Sequence, residues 1–157
     1  MSDHITIRAY NKADKAALLE LLKLNTPFHF APEEANDFND YLDHETELYY
    51  VVLYHDKIVG CGGINFAEAQ SIGRISWDII NPQYQGKKIG TKLLKHRINV
   101  LLSLSSVKRV TVRTSQTAYT FYQKQGFETI EMIKDYWAKG FDLYRMELTK
   151  FRNIKMI

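Results

Sequence analysis

The run Asn81-Pro82-Gln83-Tyr84-Gln85-Gly86-Lys87-Lys88-Ile89-Gly90-Thr91 sets two glycines and two lysines between an apolar strand pattern and the start of an amphipathic helix. Such a helix start exposes unpaired backbone N–H groups and a partial positive charge, and glycine lets a phosphate approach the chain closely. The segment therefore predicts a phosphate-bearing ligand. It is not a P-loop, because Gly86 and Gly90 lack that motif's spacing and its Gly-Lys-Ser/Thr ending. His29, His44, His55 and His96 show no metal-ligand spacing and Cys61 is the single cysteine, so neither a metal site nor an internal disulfide is expected. One cysteine fits a reducing, cytoplasmic compartment.

Behind a net charge of +3 lies a strong asymmetry. Ile79 to Phe127 contains no Asp or Glu but includes Lys87, Lys88, Lys92, Lys95, Arg97, Lys108, Arg109, Arg113 and Lys124. Leu24 to Asp56 contains no Lys or Arg but carries Glu33, Glu34, Asp37, Asp40, Asp43, Glu45, Glu47 and Asp56. Two readings stand: unequal but ordinary solvated faces, or opposed fields that bring a polyanionic donor to a cationic acceptor. Nucleic acid is not expected, because the lysines surround a glycine loop instead of lining a stripe with interleaved aromatics. No run approaches the length of a membrane span and no secretory signal pattern opens the chain, so no membrane association is expected. The length suits one domain over residues 1–157.

The elements that must position these residues follow from periodicity. Ile5–Arg8 alternates as a strand; Asn11 with Asp14 caps a helix ending near Asn25; Phe38, Tyr41 and Leu42 mark the apolar face of an acidic helix. Leu48–Tyr54, Lys57–Asn65 and Gly73–Ile80 read as strands, and a helix starting near Lys88 carries Ile89, Leu93, Leu94, Ile98, Leu101 and Leu102 as its stripe. Val107–Arg113 is a strand, Gln116–Gln125 a helix ended by Gly126, and Phe127–Ile133 and Asp142–Leu148 are strands before a basic tail from Phe151. This order predicts an α/β domain with a mixed, largely antiparallel sheet and helices on both faces.

Gln85-Gly86-Lys87-Lys88-Ile89-Gly90 resembles the Arg/Gln-x-x-Gly-x-Gly/Ala pyrophosphate loop of the GNAT superfamily of N-acetyltransferases. Ala118-Tyr119-Thr120-Phe121-Tyr122-Gln123-Lys124-Gln125-Gly126-Phe127 resembles that family's second signature, in the family's order. The specific match spans Ser71 to Phe127. The resemblance implies the acyl-CoA N-acyltransferase (GNAT) fold, with a splay between central strands, and acetyl-CoA as co-substrate without a metal. Its pantetheine arm would pair near Ile79, Ile80 and Asn81, and the amides of Gln85, Gly86, Lys87, Lys88, Ile89, Gly90 and Thr91 would hold the diphosphate. Ser115 and Gln116 fall where the family often places an Asn touching CoA, although capping alone explains Ser115. Lys88 stands where the family has a glycine; with helical dihedrals it would still present its N–H and would add positive charge.

Acetyl transfer to an amine needs a deprotonated amine, stabilisation of an oxyanion, and a proton for the departing thiolate. Tyr122 matches the tyrosine that the family often uses as general acid, or else it is a packed aromatic beside Phe121 and Phe127. Asp78 is the one carboxylate of its strand. Alternation puts Ser76, Asp78 and Ile80 on one face and Trp77 and Ile79 on the other, so Asp78 is either a base, direct or through water, or a hydrogen-bonded structural carboxylate. The family implies the main-chain N–H near Ile80 as oxyanion donor. His29, between Phe28 and Phe30, is the best histidine for acceptor contact, and Tyr136-Trp137 either packs in the sheet or borders the acceptor pocket. The expected function is transfer from acetyl-CoA to a primary amine, small-molecule or peptide, by direct attack. The alternative is a CoA-binding regulatory or interaction module without catalysis. A homodimer is left open.

Overall fold

In the computed structural model, which describes residues 4–154, the alternating segment Ile5–Ala9 forms β1 and pairs antiparallel with β2, Leu48–Tyr54. Between them Asn11 accepts a hydrogen bond from Ala13 N–H while Asp14 accepts one from Asn11 N–H, a reciprocal cap that leads the chain into helix α1, Lys15–Leu24. Helix α2, Glu34–His44, follows the loop carrying Phe28, His29 and Phe30. Strands β3, Lys57–Ala67, and β4, Ile72–Ile80, continue the antiparallel run. Helix α3, Ile89–Leu102, crosses to β5, Arg109–Thr114, which lies parallel to β4. Helix α4, Tyr119–Lys124, leads to the antiparallel pair β6, Phe127–Ala138, and β7, Phe141–Leu148. The seven strands form one sheet in the order β1-β2-β3-β4-β5-β7-β6, so the mixed, largely antiparallel architecture is as expected.

The apolar stripes decide which face each helix covers. Leu18, Leu21 and Leu22 of α1 and Phe38, Tyr41 and Leu42 of α2 close over Tyr49, Val51, Cys61 and Ile79. Leu94, Ile98 and Leu101 of α3 and Tyr122 of α4 close over Ile64, Ile75, Val110 and Val112. The successive residues Val51 and Val52 serve different clusters, as strand alternation requires. Among the described residues no helix is long and apolar enough to cross a membrane.

Strand β5 starts at Arg109 rather than Val107 and β3 runs on to Ala67 rather than ending at Asn65; three larger differences from the sequence reading have clear causes. Helix α4 begins at Tyr119 rather than Gln116, because residues 115–118 form a turn in which the Ser115 carbonyl accepts from both Ala118 and Tyr119 N–H. Strand β6 runs on to Ala138 because β7 supplies backbone partners beyond Ile133. The segment from Phe151 is not a free tail as far as Ile154: Phe151 is buried, and Arg152 donates to the carbonyls of Leu104 (2.7 Å) and Val107 (2.9 Å).

The local feature that sets up the site is a bulge in β4. Ile79 pairs with Cys61 and Ser76 with Gly63, so Gly62 alone opposes both Trp77 and Asp78. Trp77 takes a φ of 49°, a conformation that costs a bulky residue about 1–3 kcal/mol unless its surroundings impose it. Here they do. Its ring packs against Phe38 at 4.9 Å, Tyr41 at 6.0 Å and Phe30 at 6.0 Å, and the Tyr49 hydroxyl donates to its carbonyl at 2.7 Å. The extra residue breaks the expected alternation. Asp78 and Ile80 face α3, whereas Ser76 lies on the α2 side beside Tyr41.

Gly62 is the residue that makes room for this. A Cβ there would lie 2.3 Å from Asp78 Oδ1, 2.9 Å from Arg97 Nη1 and 3.0 Å from Leu93 Cδ2. Gly62→Ala is expected to destabilise the fold by about 1–3 kcal/mol, read as a lower urea midpoint at unchanged slope.

Candidate active site

Beyond Ile75 strands β4 and β5 no longer pair, and a cavity of about 650 Å³ opens in the wedge between them. Asp78 reaches into it from β4, Gly90 from α3, Tyr122 from α4, His29 and Phe30 from the α1–α2 loop, and Trp137 from β6.

At the apex sits a charged pair. Arg97 has no solvent exposure and donates from Nη1 to Asp78 Oδ1 and from Nη2 to Asp78 Oδ2 (2.8 Å), with a further bond from Nη1 to the Gly63 carbonyl (3.0 Å). The Tyr122 hydroxyl donates to the same Asp78 Oδ2 at 2.5 Å. Burial alone would lower the Arg97 pKa, but the Asp78 charge more than offsets this and the guanidinium is held more firmly protonated than usual. Burial, reinforced by the Asp78 charge, pushes the Tyr122 phenol well above its ordinary pKa of 10.0. Of the two readings of Asp78, this geometry matches a hydrogen-bonded carboxylate that fixes its neighbours. Sequence reasoning counted Arg97 only as part of the basic half. The available signal was its place four residues after Leu93 and four before Leu101, a lone charge within the apolar stripe of α3.

The glycine loop enters α3 as expected, with one correction. Lys88 is not helical: it takes φ 60°, ψ 29°, the left-handed conformation in which the resembled pattern has a glycine, and Gly86 has φ 85°. The first helical bond runs from Lys92 N–H to Lys88 O, so the amides of Ile89, Gly90 and Thr91 precede it at the helix start. Gln85 and Gly90 line the cavity, and the Lys87 ammonium lies 5.0 Å over the Tyr54 ring. Asn81 is buried, its side chain accepting from Gln83 N–H at 2.9 Å. Asn81 N–H donates to Val59 O at 2.8 Å, which by strand alternation turns the Ile80 N–H away from β3 and toward the wedge. The Ile80 carbonyl is taken by Asn25 Nδ2 at 3.0 Å, and Ile79 is fully packed under α1 and α2.

Away from the loop the lining carries the aromatics Tyr41, Phe30 and Trp77 with the charged Glu34, Glu45 and Arg74. Glu34 is buried and accepts from Ala31 N–H at 2.8 Å; desolvation raises its pKa. His29 and Phe30 belong to this lining, but Phe28 is 70% exposed and lies outside it. His29 Nδ1 is 2.7 Å from Thr117 Oγ1, which joins the α1–α2 loop to the turn before α4. Ser115 lines the cavity and its hydroxyl bonds Thr117, whereas Gln116 is turned to the β6–β7 hairpin, donating to Gly140 O at 2.6 Å and accepting from Asp142 N–H at 2.7 Å. Trp137 borders the cavity, and Tyr136 projects outward against Arg113. Asn25 and Thr117 had no sequence signal, since each acts through a partner far away in the chain.

Removing one member of a buried ion pair leaves the other uncompensated, which costs about 3–5 kcal/mol. Arg97→Met is therefore expected to lower stability by that amount in urea titration at neutral pH.

A family model described as "Acetyltransferase (GNAT) domain" matches residues 20–150. No curated protein matches the sequence significantly. Among solved structures, the ribosomal-protein-S18-alanine N-acetyltransferase from Escherichia coli superposes with a TM-score of 0.75 at 18% identity, over 92% of this chain and 92% of that one. A variant of the spermidine N-acetyltransferase from Vibrio cholerae gives 0.71 at 17%, over 95% and 96%. An aminoglycoside 6'-N-acetyltransferase complexed with coenzyme A gives 0.73 at 14%, over 90% and 95%. With most of its length matched by the family model and its fold shared with these enzymes, the chain belongs to the GNAT family of acetyltransferases.

Proposed function

We propose that this protein transfers the acetyl group of acetyl-CoA to a primary amine by direct attack, within one domain and in the cytoplasm. The observation that carries this reading is the continuous cavity joining the start of α3, across the β4–β5 wedge, to the part lined by aromatics with Glu34, Glu45 and Arg74. In this reading the amides around Gly86 to Thr91 hold the diphosphate, with Lys88 adding charge beside it. The β4 edge at Ile79, Ile80 and Asn81 carries the pantetheine arm, and the Ile80 N–H meets the oxyanion. The acceptor enters from the side of Glu34 and Glu45, whose charge attracts an ammonium. Neighbours of the same fold are named for acting on spermidine, a ribosomal protein and aminoglycosides, which supports an amine acceptor without naming it.

Tyr122 serves the departing sulfur as acid. Its hydroxyl already sits beside Asp78 Oδ2 and must swing from that oxygen to the sulfur as the C–S bond breaks. A phenol held well above 10.0 stays protonated throughout the working range, so the donor is present at every pH of interest. The same shift makes complete transfer to a free thiolate, whose ordinary pKa is about 8.5, uphill. Hydrogen bonding to developing charge then carries most of its contribution.

One observation favours a second reading, a CoA-binding module without catalysis: three hydrogen bonds from Arg97 and Tyr122 already reach Asp78, the pattern of a structural carboxylate. A thiol-release screen of polyamines, aminoglycosides, amino acids and peptide N-termini with acetyl-CoA decides between them; CoA binding with no release against the whole panel would favour the module. Tyr122→Phe is expected to lower kcat by about 10²-fold, with no change in any basic limb of its pH profile below pH 10, because Tyr122 does not ionise there. At Gly90 a Cβ would lie 3.5 Å from the Phe121 ring and 4.0 Å from Ile80, so larger side chains crowd the loop. Gly90→Leu is expected to weaken CoA binding at least tenfold by calorimetry, and unchanged affinity would remove the loop from the binding site.

A further inference from the structure

We propose that His29 is the general base that deprotonates the acceptor amine, with Thr117 fixing its tautomer. This rests on the acetyl-transfer reading above. The carboxylate that the sequence offered for the task, Asp78, has Arg97 on both oxygens and Tyr122 on one. His29 is different. It lines the cavity, half-buried, and one ring nitrogen, Nδ1, is occupied by Thr117 Oγ1 at 2.7 Å. Thr117 Oγ1 is in turn 2.9 Å from Ser115 Oγ. The proposed base uses the tautomer in which His29 Nδ1–H donates to Thr117 and Thr117 donates to Ser115, so that Nε2 keeps its lone pair for a proton.

Backbone bonds place the ring next to the wedge. His29 N–H donates to the Asn25 carbonyl at 2.9 Å, while Asn25 Nδ2 donates to the Ile80 carbonyl at 3.0 Å. The segment bearing His29 is thus tied through one residue to the strand whose N–H meets the oxyanion in the proposed reaction. Phe28 packs edge-on against the imidazole at 4.6 Å. Burial lowers the His29 pKa below its usual 6.5, so the ring is neutral, the form a base needs, at pH 7. The titratable and charged groups around the same cavity are Glu34 and Tyr41 on α2 and Glu45 just after it, Arg74 and Asp78 on β4, Arg113 on β5 and Tyr122 on α4.

The steps balance without a further reactant. The acceptor R–NH3+ gives one proton to Nε2, and the freed lone pair attacks the thioester carbonyl carbon; a C–N bond forms as the C=O pair moves to oxygen. When the C=O bond reforms, the C–S pair leaves with the sulfur. A second proton from the nitrogen reaches the sulfur through the Tyr122 hydroxyl, and the imidazolium sheds its proton to solvent. The products are R–NH–acetyl, CoA thiol and one H+.

The test is the pH profile of thiol release with the best acceptor from the amine panel. In the wild type, kcat/KM is expected to show an acid limb with its midpoint below 6.5. His29→Asn places an amide near the Nδ1 position and keeps the Thr117 bond. It is expected to lose the limb and about 10²-fold in kcat, with CoA affinity within twofold by calorimetry. Thr117→Val, which keeps the imidazole, is expected to retain the limb and lose about tenfold, since only the tautomer is released. Retention of rate and limb in His29→Asn would overturn the proposal, as would loss of the limb in Glu34→Gln but not in His29→Asn. Joint loss of CoA binding and activity in His29→Asn would reduce His29 to a structural strap and also overturn it. A wild type that releases no thiol with any amine would instead sink the acetyl-transfer reading, and the base with it.

Discussion

A guanidinium without solvent contact, held by one carboxylate at the point where two strands part, is the interaction on which the rest of this site depends. Burying Arg97 is costly, and the cost is met by a two-point ion pair with Asp78 and by the Gly63 carbonyl. For that pair to exist, three unrelated features must coincide. Gly62 must lack a side chain, β4 must bulge at Trp77 so that Asp78 turns toward α3, and α3 must present a charge inside its apolar stripe. The aromatic packing of Trp77 against Phe30, Phe38 and Tyr41 holds the bulge from the other side of the sheet.

The pair also bears on Tyr122, whose hydroxyl donates to Asp78 Oδ2: burial first, and then the Asp78 charge, pushes the phenol pKa well above its ordinary value. The cavity lining mixes charges of both signs, Arg74 and Arg113 with Glu34, Glu45 and Asp78. Gln85 and Gly90 line one part of the cavity, Glu34, Glu45 and Arg74 with Tyr41, Phe30 and Trp77 line another, and the wedge between β4 and β5 lies between them.

Much of this was legible before any coordinates. Alternation and helical stripes placed all seven strands and four helices in order, because burial of an apolar face is written directly into local spacing. The glycine-bearing entry to α3 was legible for a similar reason, since its residues are consecutive in the chain. The errors fall where local pattern and tertiary packing disagree. Ser76 was assigned to the face of Asp78 because strict alternation was assumed, and the bulge breaks it. Lys88 was given helical dihedrals because lysine favours them, and the chain entering α3 forces φ positive instead. Phe28 was grouped with His29 and Phe30 by adjacency, yet a loop need not point three successive side chains the same way.

By itself, then, the sequence determined the element order, the mixed sheet with helices on both faces, the glycine-bearing entry to α3 and the second signature around Tyr122. All of these reside in residues close together along the chain. Only the tertiary structure decided the partners. It set Arg97 against Asp78 nineteen positions away, Tyr122 against the same carboxylate, Asn25 against Ile80, and His29 against Thr117. Such pairings depend on a one-residue slip in strand register and on which strands stop pairing, and neither is encoded in the spacing of any single segment.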